Sequence, residues 1–214
     1  MGLVVCVLLL GVGACSMRGA RAEASASASA SASAAVARAE QGIADANASA
    51  TASREAALSP ELRAQRDAAL AEPAPDKPPQ MNEETAEGAA ASVGYFLDLY
   101  RYAFMTGNTT ELETISEDQC VFCKSVIDQA ADLHEEGGWA NKWEQEITDI
   151  AYYEKLEGYN YNLVHVHINY GQMIWCYPGD APSVAAPIEG KELKFGVRYT
   201  NGHWVIGEGE VIPK

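Results

Sequence analysis

From Val93 the apolar positions fall in a helical rhythm, with Val93, Leu97, Tyr100 and Phe104 at spacings of four, three and four. Phe96, Leu99 and Ala103 widen that stripe, so the segment predicts an amphipathic helix that Gly107 ends. Two shorter helices are expected next. Thr110 with Glu113 and Ser116 with Gln119 both have capping-box spacing, and the second helix would carry Cys123, Ile127, Ala130 and His134 on one face before stopping at Gly137-Gly138. Beyond Lys142 the rhythm changes to period two. Trp143 to Tyr153, Tyr159 to Tyr170, Met173 to Tyr177, Glu192 to Tyr199 and His203 to Ile212 are rich in aromatic and β-branched residues and read as strands. Residues 178–190 read as a loop, and Asn201-Gly202 as the turn of a tight hairpin. Helices followed by an antiparallel meander define an α+β class, N-terminal helices packed on a curved antiparallel sheet.

The pattern stops abruptly on the N-terminal side. All 18 aromatic residues lie at or beyond Tyr95, and residues 16–80 contain none, while 23 of those 65 positions are Ala. Such a stretch buries too little apolar area to offset its conformational entropy. We therefore expect three parts: a signal peptide at 1–14, a low-complexity linker at 15–80, and a globular domain at 81–214 with a cone-like sheet. Within the linker, five Ala-Ser pairs suggest a flexible spacer. Ser59 as N-cap and Pro60 at the first helical position specify one short helix over about 60–72, ended by Pro73 and marginal in solvent.

Leu3 to Ala14 is an apolar or small-residue run too short to span a bilayer of ~30 Å and suited to a signal-peptide core. It ends in "VGAC", which resembles the lipobox of bacterial lipoproteins. That resemblance implies a diacylglycerol thioether on Cys15 as the lipidation site, a membrane partner through that lipid, and a location on the extracytoplasmic face of the plasma membrane or a secreted one. No Lys or Arg stands before the run, which suggests a start further upstream.

The net charge is −15, and 22 acidic against 8 basic residues lie from Met81 onward, so the folded part is the acidic part. No basic stripe appears, and nucleic acid is not expected as a partner.

"YFLDLYRYAFMTGNTTEL", two short helices and a meander ending in "GHWVIGEGEVI" resemble the nuclear-transport-factor-2-like superfamily of cone folds. The stretch from Pro78 through "CVFC" is similar to a family of uncharacterised lipoproteins of high-GC Gram-positive bacteria, which brings a fold and a location but no catalytic residues. The function it implies is a lipid-anchored envelope protein that binds a small apolar ligand or an envelope protein. The alternative is an isomerase- or cyclase-like enzyme of the cone superfamily, for which Asp98, Tyr95, Tyr102, Asp149, Tyr152 and Tyr153 are the candidate acid, base and hydroxyl groups.

Neither catalytic residue nor cofactor is assigned. Cys120 and Cys123 form a C-x-x-C at the start of a helix, outside the strand-to-helix setting of redox enzymes. In an oxidising compartment a Cys120–Cys123 disulfide is expected, and pairing of Cys176 with either is the alternative. His165 and His167, two apart on a strand, share one face, yet the ligand count argues against a metal because only His134 and His203 remain as further imidazoles.

Overall fold

A computed structural model describes residues 16–213, and Cys15, the expected lipidation site, lies outside them. The chain divides into two compact units, residues 1–53 and 54–214.

The described part of the first unit belongs to α1 (Ser16–Ala57), where a flexible spacer was expected. Alanine is the best helix former and serine costs little, so the repeat is compatible with a helix. Side chains from Ala32 to Ser53 are exposed, and Gln41 Nε2 donates to Asp45 Oδ1 one turn on at 2.8 Å. No helix among the described residues is long and apolar enough to cross a membrane.

The second unit opens with α2 (Pro60–Leu70), capped by Ser59 as the sequence predicts. It is not a free solvent helix. Ala69 is fully buried, and Lys142 Nζ lies 2.7 Å from Glu72 just beyond the helix end. A single 3₁₀ turn (Pro79–Asn82) seats Met81 in the core ahead of α3 (Ala86–Thr106), where Thr85 Oγ1 accepts from the Gly88 amide at 3.0 Å. Gly107 ends α3 in the left-handed region at φ 78°.

The next two helices do not start at their expected caps. Thr109, not Thr110, precedes α4 (Thr110–Thr114), with its hydroxyl 2.5 Å from Glu113 Oε1. Cys120, not Ser116, caps α5 (Val121–Glu135), and its Sγ accepts from the Cys123 amide at 3.1 Å. Ser116 instead forms an isolated bridge with Ile206. The buried stripe of α5 shifts accordingly to Cys123, Val126, Ala130 and Leu133. His134 sits at its edge, with Nε2 2.9 Å from the Phe104 carbonyl.

Seven strands follow: β1 (Trp139–Ala140), β2 (Gln145–Tyr153), β3 (Asn162–Tyr170), β4 (Met173–Cys176), β5 (Ser183–Ala185), β6 (Ile188–Thr200) and β7 (His203–Ile212). They form a four-stranded sheet of order β2-β3-β6-β7 and a three-stranded sheet of order β1-β4-β5, with every strand pair antiparallel. The α+β class expected from the sequence is the observed one, and neither sheet closes on itself. The segment read as a loop contributes β5 and the start of β6. Asn201 and Gly202, at φ 52° and 82°, form the predicted hairpin turn between β6 and β7.

Alternation along the larger sheet places Val164, Val166 and Ile168 of β3 and Leu193, Phe195 and Val197 of β6 on one face. All six are at most 4% exposed, covered by α3 and α5. The opposite face carries His165, His167, Glu192 and Lys194.

Candidate functional site

A cavity of about 300 Å³ lies between α3, α5 and the inner face of the larger sheet, at the lower end of the ~300–1,000 Å³ usual for ligand pockets. Phe96, Leu97, Val126 and Leu193 line its depth, and all four are buried. The helical rhythm of α3 and the period-two alternation of β6 bring these apolar groups together from opposite sides. Ser125 and Gln129 of α5 and Lys191 of β6 stand on the wall toward solvent. Lys191 shares the parity of Leu193, Phe195 and Val197, and its register partner Ile168 is buried. Its stem therefore runs along apolar surface and brings an ammonium group to a mouth that also carries Ser125 and Gln129.

Tyr100 and Tyr170 also line this space. Burial pushes both phenols above the ordinary tyrosine range, Tyr170 furthest, where Tyr100 adds to the shift, so both hydroxyls stay protonated at neutral pH. In the unfolded chain these phenols ionise near pH 10. The stability they contribute is complete below that pH and is lost as pH rises toward the folded values. Chemical denaturation above pH 10 should therefore show falling stability, and Tyr170→Phe should flatten that decline; an unchanged slope would contradict the assignment.

No carboxylate lines the cavity, and none of Tyr95, Asp98, Tyr102, Asp149, Tyr152 and Tyr153 does. Asp98 Oδ1 accepts from Gln145 Nε2 at 3.3 Å and lies 3.8 Å from Arg101. Burial raises its carboxyl above the usual range against the lowering effect of Arg101. Tyr152 packs edge-on to Trp204 at 6.5 Å, while Asp149 and Tyr153 are exposed.

A wider, more open groove of about 780 Å³ runs past Tyr161 on the β6–β7 side. Its floor is a packing device. A Cβ on Gly207 would meet the Tyr161 ring at 2.2 Å, and Tyr161 donates to Glu117 Oε2 at 2.7 Å, with Arg198 paired to the same carboxylate.

Cys120 and Cys123 are joined by a disulfide at the start of α5. Cys176 is buried on β4 opposite Trp139 and has no disulfide, so the alternative pairing through Cys176 is absent. Burial raises its thiol.

On the outer face of the sheet, Glu192 of β6 stands in register with His167 and joins His165 and His167 in a cluster whose potential ligand atoms lie within 4.8 Å of one another. Ligand counting along the sequence searched for thiols and imidazoles and missed this carboxylate from a neighbouring strand.

The fold and cavity define an α+β domain with a small, predominantly apolar ligand-sized space. Residues 64–210 match the family model of DUF6318, a family of unknown function, and the chain belongs to that family. No curated protein matches the chain. Among solved structures, the chain is similar to the intermembrane-space region of the chloroplast protein ARC6, at 16% identity and a TM-score of 0.42, over 62% of this chain and 99% of that one.

Proposed function

We propose that the chain is a lipid-anchored extracytoplasmic protein whose folded domain binds an amphiphile, an apolar body with an anionic head. The observation that carries this reading is Lys191, the one charged side chain among the residues that line a predominantly apolar cavity. Burying a single aliphatic chain there contributes roughly 0.8 kcal/mol per methylene. The ammonium selects for a carboxylate, sulfate or phosphate head. "VGAC" and the Cys120–Cys123 disulfide support an anchor on Cys15 and an oxidising compartment. The order of helices then meander, with α3 lying on an open sheet, supports the likeness to the cone superfamily.

Calorimetric titration of the full chain with decanoate and with decanol tests the binding reading. Decanoate is expected to bind, and Lys191→Gln to weaken it about tenfold or more while leaving decanol little changed, since a hydrogen bond to a charged group contributes about 1.5–3 kcal/mol. Decanoate binding that Lys191→Gln leaves unchanged would remove the head-group selection. Mass spectrometry of the native protein tests the anchor separately, because a mature N-terminus other than lipid-modified Cys15 contradicts it.

A further inference from the structure

We infer that the outer face of the larger sheet holds a divalent transition-metal ion of the zinc class on His165, His167 and Glu192. His165 and His167 are two apart on β3 and project from the same face, their ring centroids 5.1 Å apart. Glu192 is the cross-strand partner of His167 on β6, so antiparallel pairing delivers a carboxylate beside both rings.

The potential ligand atoms of the trio are close enough together to share one ion. His165 Nε2 is buried and lies 2.7 Å from Glu192 Oε1, and it has no hydrogen bond of regular geometry. A buried ring nitrogen held beside a carboxylate, with no regular hydrogen bond to fix it, leaves both groups able to turn onto a shared ion. An ion bound at about 2.0–2.2 Å separates its ligand atoms by about 3.3–3.5 Å. The trio brackets that spacing, from 2.7 Å for one pair to within 4.8 Å overall, so small side-chain rotations suffice.

The donor set selects the metal. Two imidazoles and one carboxylate suit Zn²⁺, Cu²⁺ or Ni²⁺ and disfavour Ca²⁺ and Mg²⁺, which take oxygen ligands. Three protein ligands leave a fourth position for water or an exogenous group. Two further charges share the face. Asp149 stands opposite His167 on β2 and adds negative potential, whereas Lys194 stands opposite His165 and opposes a cation; Glu210 on β7 is paired in register with Lys194. All three ligands are half-buried on the surface face while the core packs on the other, so the metal does not hold the fold together. Lys191 and Glu192, adjacent on β6, therefore point to opposite faces, and the metal site stands independently of the cavity.

Titration of the metal-stripped full chain with ZnCl₂ provides the test, followed by calorimetry, by the Zn²⁺-induced rise in Tm and, with Co²⁺ as probe, by visible absorption. One ion per chain is expected. His165→Ala, His167→Ala and Glu192→Gln should each weaken Zn²⁺ binding at least tenfold and cancel the Tm rise, while leaving the Tm in chelator unchanged. His203→Ala should bind as the unaltered chain does. Absence of Zn²⁺ binding, or binding that survives all three ligand substitutions and so resides on cysteine thiols or elsewhere, would overturn the inference.

Discussion

Gly88→Ala is expected to destabilise the folded domain by about 3 kcal/mol or more, where the same change inside an exposed helix would stabilise by up to ~1 kcal/mol. A Cβ there would meet the Glu83 carbonyl oxygen at 2.2 Å, the Gln80 carbonyl oxygen at 2.7 Å and the Trp204 indole nitrogen at 2.8 Å. Two of these are backbone atoms that other bonds hold in place. Trp204 Nε1 donates to the Glu83 carbonyl at 2.7 Å, and the Glu83 amide donates to the Gln80 carbonyl at 3.0 Å. A methyl group must break this lock between the 3₁₀ turn, the start of α3 and β7. It must also disturb the Thr85 cap, since Gly88 supplies the capped amide. A fall in Tm of roughly 10 °C follows for a domain of this size. Trp204→Phe, which removes the indole N–H and leaves a smaller ring in a buried site, should also destabilise, by about 1–3 kcal/mol or more. An unchanged or raised Tm for Gly88→Ala would show that the turn moves freely, contrary to the packing described.

Phe195→Ala is expected to cost about 3–5 kcal/mol in urea denaturation, the range for removing a large aromatic from a closed core. Phe195 is fully buried on β6, with ring centroids 5.5 Å from Phe96 of α3 and 5.8 Å from Phe122 of α5. Its cross-strand partner is Gly209, and a Cβ at that glycine would meet the Phe122 ring at 2.3 Å. The glycine lets Phe122 lie against β7 and close the aromatic triangle. Helix α5 is thus docked on the sheet through rings, and Phe122 also forms part of the cavity wall. Loss of Phe195 should loosen α5 and weaken decanoate binding together. A loss below about 1 kcal/mol, less than burial of the ring alone contributes, would contradict a closed aromatic core here.

The elements legible in the sequence are those with a strong period and a firm stop. Helix α3 is one, with its stripe from Val93 to Phe104 and Gly107 after it; the β6–β7 hairpin is another, with Asn201-Gly202 between alternating strands. Capping signals were less decisive. Ser116 has the right spacing to Gln119, but its backbone bridges to Ile206 and its hydroxyl bonds the Leu112 carbonyl at 2.6 Å, so tertiary contacts outcompete the local cap. Low complexity was misleading in the opposite direction at α1, where alanine's helix propensity acts without any hydrophobic period.

The candidate sites were half legible. Lys191 could be read from its parity with Leu193 and Phe195, because a lysine in phase with an apolar face marks the edge of something buried. Glu192 could not be assigned to the histidines, since that contact depends on the register between β3 and β6, which a bulge between Ile168 and Tyr170 adjusts. The acid–tyrosine pairs sought for an enzyme depended on side chains whose elements direct them elsewhere, as Asp98 toward Gln145 and Tyr152 toward Trp204.

The most direct test of the amphiphile-binding account is nuclear magnetic resonance of the full chain with decanoate, reading intermolecular Overhauser contacts. The account predicts contacts from the acyl chain to Phe96, Val126 and Leu193, with the carboxylate end near Lys191. Contacts confined to the open groove at Tyr161 or to the outer sheet face, or no contacts at saturating decanoate, would contradict it.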